Sequence, residues 1–195
     1  MIMLGEAEVV VAGGMENLSQ APHVLRGMRD TYGLGRPPRE GDELPKDMED
    51  YLFTNLVDST CGSFMAQTSD ELCKRIGVTR EEADAFAALS HQRTEATVAN
   101  GIWAQEIVEV DTPDGTVGAG DEDHFVPGTT EESLSGLRTH FGPESLVTAG
   151  NASGVVDGAA AVVLKSASRA EADGDSPMAR IVSWGIVGLE PAIMA

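Results

Sequence analysis

The stretch Val147–Leu164, VTAGNASGVVDGAAAVVL, joins a loop of small residues to an uncharged apolar segment. The length of the segment Ala159–Leu164, and the glycine and lysine that flank it, predict a β-strand buried on both faces of a helix-covered sheet. The preceding loop, Thr148–Gly154, is small enough for another backbone or the thin arm of a ligand to approach closely. The stretch therefore predicts an α/β fold with a binding loop beside one of its strands.

The composition indicates a soluble protein with a substantial core. The chain has 195 residues, 42% of them hydrophobic, and no apolar run approaches the roughly 18 residues that a membrane span needs. The first residues, MIMLGEAEVVVAGG, lack the basic region of a signal peptide. The two cysteines, Cys61 and Cys73, suggest neither a disulfide framework nor a metal site. Together these features predict a cytoplasmic location.

The charge balance is strongly acidic, with 32 acidic residues, 13 basic residues and a formal net charge of −19. Such a charge excludes a nucleic-acid partner. Self-repulsion of this size destabilises a compact chain in dilute buffer and is screened at molar salt, where the Debye length is about 3 Å. Because the acids are scattered rather than gathered in a tail, we expect a salt-rich cytoplasm, as in halophiles; an ordinary acidic protein is the alternative.

Periodicity predicts the following order of elements. Strands are expected over residues 6–12, 107–110 and 179–187, the first one buried and ending in a turn at Gly13-Gly14. Helices are expected over residues 63–76, 79–100, 129–143 and 166–174. The second begins with a Thr79/Glu82 capping box, and Phe86, Leu89, Arg93 and Ala96 continue its mainly apolar pattern on one face. The third has Leu134 and Leu137 on its inner side. Residues 26–50 predict a surface excursion, and residues 111–123 predict an acidic turn region.

The residues alone offer no clear catalytic group. Cys61-Gly62-Ser63 precedes a predicted helix, where a thiol can be activated, but the sequence gives no nearby base and a structural cysteine is the favoured interpretation. The histidines have no metal-ligand spacing, so surface positions and no metal are expected at His23, His91, His124 and His140. Acidic pairs such as Asp121/Asp123 and Glu131/Glu132 are interpreted as solvated surface.

Several segments resemble one family, the thiolases, which are acetyl-CoA C-acyltransferases. They are VVVAGGMENLSQAPH (9–23), VTREEADAFAALSHQRTEAT (78–97), IWAQEIVEV (102–110), TTEESLSGLRTHFGPESLVTAGNASGVVDGAAAVVL (129–164) and RIVSWGIVGLEPAIM (180–194). The motif TAGNASG followed by DGAAA is the most specific of them. The resemblance extends in order over nearly the whole chain.

The resemblance implies a fold of two similar αβαβα halves with an inserted loop domain. Residues 1–25 would end the N-terminal half, residues 26–146 would form the loop domain, residues 147–176 would return to the N-terminal half, and residues 177–195 would begin the C-terminal half. It also implies acyl transfer between coenzyme A esters in fatty acid metabolism, by condensation of two acetyl-CoA or thiolysis of 3-ketoacyl-CoA. Acyl-CoA and acetyl-CoA would be substrates, with no permanently bound cofactor and a homo-oligomeric assembly.

The catalytic loops of thiolases read CxS, NEAF, GHP and CxGG. None of the four is assigned in this chain. Cys61-Gly62-Ser63 has the CxS pattern, but it follows the segment AGGMEN, whereas the CxS loop of the family precedes that segment. The resemblance therefore predicts an internal fragment that is inactive alone and exposes apolar strands such as Val9–Val11. The alternatives are a non-catalytic subunit whose partner supplies the missing loops, and a truncated gene product.

The residues that match coenzyme A contacts of the family lie in three groups. Ser153 matches a serine that hydrogen-bonds the pantetheine arm, and Ala149 matches the small residue beside it. The remaining matches are Phe141 on the pantetheine, Ser133 and Leu137 near the adenine, and Leu56 and Met65 along the acyl pocket. Two positions depart from the pattern: Phe64 replaces a histidine of many biosynthetic members, and Val126 replaces an adenine-contacting arginine.

Overall fold

Helices and strands are both present, as expected for an α/β protein. The computed structural model describes residues 1–27, 48–120 and 124–194. The strands are β1 (Val9–Glu16), β2 (His23–Leu25), β3 (Met48–Asp50), β4 (Val110–Thr112), β5 (Gly115–Val117) and β6 (Gly158–Lys165). The α-helices are α1 (Tyr51–Asn55), α2 (Met65–Ile76), α3 (Arg80–Ala99), α4 (Glu131–Ser135) and α5 (Ala167–Asp173). Two compact units form, Met1–Thr54 with Val155–Gly188 and Asn55–Gly154 with Leu189–Ala195. The predicted domain bounds stay a prediction.

An antiparallel ribbon of β1 and β6 forms the centre of the first unit, with Val9 opposite Lys165 and Glu16 opposite Gly158. The predicted turn at Gly13-Gly14 is wrong, because β1 continues through both glycines. Gly13 instead allows β1 and β6 to approach each other closely, because a Cβ atom there would lie 2.6 Å from the carbonyl oxygen of Ala160 in β6. The glycine lets two backbones meet at a distance that a side chain would prevent.

The prediction that Ala159–Leu164 is buried on both faces is wrong for this chain. Val163, in the middle of β6, is 63% exposed. The reason is that β1 and β6 form a sheet of only two strands within the described residues, and such a ribbon has no layer over its apolar faces. The prediction from periodicity that the first strand is buried is also wrong, whereas the exposure expected of a fragment is confirmed at Val9 and Val11.

The predicted strand over residues 179–187 is also wrong. The segment has no regular secondary structure, and Ile181, Trp184 and Ile186 are exposed. A strand needs a neighbour for its backbone N–H and C=O groups, and no described strand pairs with this segment.

Polar contacts complete the first unit. The carboxylate of Asp157 accepts hydrogen bonds from the Ser19 hydroxyl and from the Ser19 backbone N–H, the latter at 2.9 Å. These bonds lower the pKa of Asp157.

The predicted helix over 166–174 is confirmed as α5, with Ser166 as N-cap and Gly174 as left-handed C-cap. Near its end, hydrogen bonds from Arg169 and Lys165 lower the pKa of Asp173 to about 2.

Helices α2 and α3 dominate the second unit. The predicted end of α2 at residue 76 is confirmed, with Gly77 as left-handed C-cap, although the helix begins at Met65 and not at Ser63. The capping box of α3 is confirmed: the Glu82 N–H donates to the Thr79 hydroxyl at 3.2 Å, and the Thr79 N–H donates to the Glu82 carboxylate at 2.9 Å. These reciprocal bonds satisfy N–H groups that the first turn leaves unpaired.

The apolar face predicted for α3 is wrong. Phe86 is 73% exposed and Leu89 is also exposed, whereas the buried residues of the helix are Asp84 and Ala88. The pattern misleads because the buried face of α3 makes polar contacts, which a search for apolar spacing does not detect.

Helix α4 is shorter than predicted and ends at Ser135 instead of near Phe141–Pro143. Leu134 is inward, as predicted, at 4% exposure, whereas Leu137 is 38% exposed. At the end of the helix and just beyond it, the Arg80 guanidinium donates to the carbonyl oxygens of Leu134 and Leu137, at 2.8 and 3.1 Å. The side chain thus satisfies acceptors that a longer helix would pair with its own N–H groups.

The remaining described strands form two antiparallel pairs. The predicted strand over 107–110 is shifted to β4, because the Ile107 N–H instead donates to the Trp103 carbonyl at 2.8 Å. Part of the predicted turn region is β5, which pairs with β4; Asp121 and Asp123 lie outside the described residues. Strand β2 pairs with β3 at the two ends of the predicted surface excursion, of which residues 28–47 lie outside the described part. No helix in the described ranges is long and apolar enough to cross a membrane.

Candidate functional site

The loop Thr148–Gly154 is fixed by its own polar groups. The Thr148 N–H donates to the Asn151 side-chain oxygen at 2.8 Å, and the Gly150 N–H donates to the Thr148 hydroxyl at 3.3 Å. The Ala152 N–H donates to the Thr148 carbonyl oxygen at 3.1 Å. With Thr148 fully buried, the loop has one defined turn conformation.

A buried carboxylate on α3, that of Asp84, forms a hydrogen bond to this loop. Asp84 is 2% exposed and accepts a hydrogen bond from the Asn151 amide at 3.0 Å. Its second oxygen pairs with the Arg80 guanidinium at 2.7 Å, which gives the buried charge the partner that it requires. The Asn151 amide also donates to the Leu146 carbonyl at 2.8 Å.

Two more side chains fix the flanks of the loop. The half-buried His91 ring contacts the Gly150 carbonyl oxygen at 3.3 Å through Nε2 and accepts from the Val126 N–H at 3.2 Å through Nδ1. These contacts fit a neutral ring protonated on Nε2. The Asp70 carboxylate accepts from the Leu146 N–H at 2.8 Å. The predicted surface position is therefore wrong for His91, because its ring bridges two backbone segments, whereas His23, His124 and His140 are exposed.

Two leucines pack directly against the loop backbone. A Cβ atom on Gly150 would lie 2.6 Å from Cδ1 of Leu137 and would also collide with the side chain of Leu134. Glycine at this position therefore serves the packing of α4 and its following turn against the loop. It also brings Leu137 beside the segment that carries Ala149.

Among the predicted binding residues, Leu56 and Met65 contact each other directly. The Met65 N–H donates to the Leu56 carbonyl at 3.1 Å. The Phe141 ring stacks on Phe64, with centroids 6.0 Å apart. Both residues of the loop, Ser153 and Ala149, are exposed.

Ser133 is engaged locally instead. Its hydroxyl accepts from the Thr130 N–H at 3.1 Å and donates to the Thr130 carbonyl at 2.8 Å. It therefore caps the start of α4, and only an acceptor lone pair remains for another partner.

The tripeptide Cys61-Gly62-Ser63 forms a tight turn. The Asp58 carboxylate accepts from the N–H groups of Thr60 and Cys61 at 2.7 and 2.9 Å, and these bonds lower the pKa of Asp58. Gly62 has a positive φ of 69°, which glycine adopts without strain. The turn uses the backbone N–H of Cys61, and the structural role of its half-buried, free thiol stays a prediction. In the ranges that the structure covers, no three His, Cys, Asp or Glu side chains could hold a metal ion.

Comparison with known proteins identifies the family. Residues 1–168 match the family described as "Thiolase, N-terminal domain". The chain belongs to the thiolase family. It is 42% identical over 197 residues to the acetyl-CoA acetyltransferase of Thiocystis violacea, covering 99% of this chain and 48% of that protein. This thiolase chain thus spans about half the length of the curated relatives that it matches.

Solved structures confirm the predicted thiolase fold as a partial copy. The Bacillus anthracis acetyl-CoA acetyltransferase is 32% identical with a TM-score of 0.80, and the alignment covers 99% of this chain and 47% of that one. The human mitochondrial 3-ketoacyl-CoA thiolase in complex with CoA is 36% identical with a TM-score of 0.79, over 99% of this chain and 46% of that one.

Sequence reasoning missed the residues that hold the loop. Asp84, Arg80, Asn151, Asp70 and His91 had no assigned role. One signal was present: Arg80 and Asp84 are spaced i,i+4 on a well-capped helix, which allows an ion pair. In an acidic chain, that spacing does not reveal that Asp84 is buried.

Proposed function

We propose that this thiolase chain binds coenzyme A esters at the loop Thr148–Gly154, as part of a protein that exchanges acyl groups between coenzyme A esters. The observation that carries the proposal is a loop of small residues, held by its own hydrogen bonds, in which Ser153 is exposed. The loop leaves room for a thin ligand, and its backbone needs no further ordering on binding. The reaction would be condensation of two acetyl-CoA or thiolysis of 3-ketoacyl-CoA, with no permanently bound cofactor.

Each proposed contact has a physical role. Ser153 would hydrogen-bond the pantetheine arm beside Ala149, and Phe141 would pack its ring on the same arm. Leu137 and Ser133 would lie toward the adenine, and Leu56 and Met65 would line the acyl pocket. The human thiolase with bound CoA supports this ligand class.

We expect Ser153→Ala to weaken the binding of coenzyme A by about fivefold, because one hydrogen bond contributes roughly 0.5–1.5 kcal/mol. Isothermal titration calorimetry with free coenzyme A measures the change. Ser168→Ala, which removes an exposed hydroxyl from α5, should bind as the unchanged chain does. Equal affinity of Ser153→Ala and the unchanged chain, or no binding by either, would contradict the proposed site.

We also expect no thiolysis of acetoacetyl-CoA by the purified chain alone. The motifs NEAF, GHP and CxGG do not occur in these 195 residues, and thiolysis needs an activated nucleophile with a base and a proton carrier. A spectrophotometric assay with free coenzyme A tests this. Turnover that Cys61→Ala abolishes and Cys73→Ala leaves intact would refute it.

A second candidate is a non-catalytic subunit that joins a partner carrying the remaining loops. The exposed apolar side chains Val11, Val162 and Val163 of the β1–β6 ribbon favour it, because apolar faces of this kind mark interaction surfaces. The partner could equally be a copy of the chain in a homo-oligomer. Co-purification from native extract separates these cases.

For the cellular setting, we propose a salt-rich cytoplasm. The net charge of −19 should make the melting temperature rise as KCl increases from about 0.1 M to molar concentration, because the Debye length falls from about 10 Å to about 3 Å. Calorimetry or circular dichroism at each salt concentration measures this. A melting temperature that stays level or falls would count against the halophilic setting.

A further inference from the structure

We propose that Asp84 is a positioning residue for the binding of coenzyme A: it does not touch the ligand but sets the conformation of the loop that does. This inference rests on the proposed function of the loop Thr148–Gly154. Asp84 is separated from Asn151 by 67 residues of sequence, so the contact is a tertiary one. It joins the second turn of α3 to the middle of the loop.

The first step concerns the orientation of the Asn151 amide. An ionised carboxylate only accepts hydrogen bonds, and Asp84 therefore requires the nitrogen of Asn151 to face it. The same nitrogen donates to the Leu146 carbonyl, and the amide oxygen is left to accept from Thr148 N–H. Rotating the amide by 180° would place its oxygen against two other oxygens. Asp84 thereby selects the orientation that closes the turn.

The second step concerns the opposite side of the carboxylate. Arg80 pairs with Asp84 and, in the same pose, donates to the carbonyl oxygens of Leu134 and Leu137. These leucines pack against Gly150. One carboxylate thus fixes the loop from within and also fixes the apolar wall beside it.

Simple stabilisation does not account for this arrangement. A buried ion pair contributes little net stability compared with apolar residues of the same volume, and the Arg80–Asp84 pair would neutralise the buried charge without Asn151. The additional bond from Asn151 acts on the loop, two residues before Ser153. The effect expected is therefore on loop geometry and ligand affinity beyond any effect on the stability of the unit.

The test compares Asp84→Asn with Glu82→Ala, which removes the capping-box carboxylate of the same helix without touching the loop. Two quantities are measured on the full chain: affinity for free coenzyme A by calorimetry, and hydrogen exchange of the backbone N–H groups of Thr148, Gly150 and Ala152. Asp84→Asn should weaken affinity and raise exchange by about tenfold each. The single oxygen of the new amide would face the Arg80 cation and its NH2 group would face the Asn151 NH2 group, so the charge-assisted bond to the loop is lost. Glu82→Ala should lower the melting temperature while both loop quantities stay unchanged.

Asn151→Ala provides a second route, because it removes the loop contact and leaves the Arg80–Asp84 pair in place. It should reproduce the part of the loop effects that passes through the Asn151 amide. The double variant should be less impaired than the sum of the two single variants, because both remove the same bond, and any excess over Asn151→Ala reports the route through Arg80. If Asp84→Asn does not fold, the comparison of Asn151→Ala with Glu82→Ala decides.

Unchanged affinity and loop exchange in Asp84→Asn or Asn151→Ala would overturn the proposal. Equal loop effects from Glu82→Ala would also overturn it, because a general loss of stability would then be the cause. If the unchanged chain binds no coenzyme A, the proposed function fails, but the exchange measurements still judge the positioning role of Asp84 separately.

Discussion

Alanine in place of Gly13 should break the pairing of β1 with β6, whereas alanine in place of Gly14 should leave it intact. A Cβ on Gly13 would lie 2.6 Å from the Ala160 carbonyl oxygen and 3.2 Å from Cα of Ala161. The obstacle is the backbone of the partner strand, which cannot rotate away as a side chain can. Overpacking of this kind costs about 3 kcal/mol, and a two-stranded ribbon is only marginally stable.

Gly14 is the matched control because it is the next residue of the same strand and nothing lies within 4 Å of its Cβ position. Alanine there should be neutral or slightly stabilising, since it restricts the unfolded chain. Hydrogen exchange of the backbone N–H groups in residues 9–16 and 158–165 is the measurement. Protected N–H groups in Gly13→Ala, or equal loss in both variants, would show that close strand approach is not the reason for glycine.

The second large effect is expected at Gly150. Alanine at this position would collide with the side chains of Leu134 and Leu137. Leu137 can move toward solvent, but Leu134 is buried at 4% exposure, so the loop itself must shift. We expect a loss of about 2 kcal/mol in the free energy of unfolding, and weaker binding of coenzyme A under the proposed function.

Gly136→Ala serves as the comparison for this variant. Gly136 has a φ of −76° and follows α4 directly, and its Cβ position has no neighbour within 4 Å. Chemical denaturation of both variants measures the difference. Similar midpoints for Gly150→Ala and Gly136→Ala would show that the leucines yield to the added methyl group.

Local signals explain which elements the sequence could predict. The Thr79/Glu82 capping box, the Gly77 stop and the Ser166 cap each act within a few residues, and α2, α3 and α5 have nearly the predicted bounds. The predictions that are wrong concern features that depend on residues distant in the sequence. Whether Gly13 ends a strand or allows close approach depends on Ala160 in β6, and residues 179–187 cannot be a strand without a neighbour.

In the candidate site, too, some residues could be predicted from the sequence and others could not. Ser153 and the other proposed contacts came from the family resemblance, since small or apolar side chains carry no chemistry of their own. The supporting residues could not be predicted, because the bond from Leu146 to Asp70 spans 76 residues of sequence and that from Asn151 to Asp84 spans 67. The sequence of an acidic chain does not show which acidic residue is buried, because burial depends on partners that only the fold brings together.

The stack of Phe64 on Phe141 has a consequence for substrate choice under the proposed function. Two aromatic rings present no strong hydrogen-bonding group where many biosynthetic relatives are expected to have an imidazole. Such a surface distinguishes acyl groups by volume and shape, and one methylene then changes binding by only about 1–3 kcal/mol. Under the proposed function, Phe64 at the end of the acyl pocket would therefore favour graded discrimination by chain length over strict recognition of a polar acyl group.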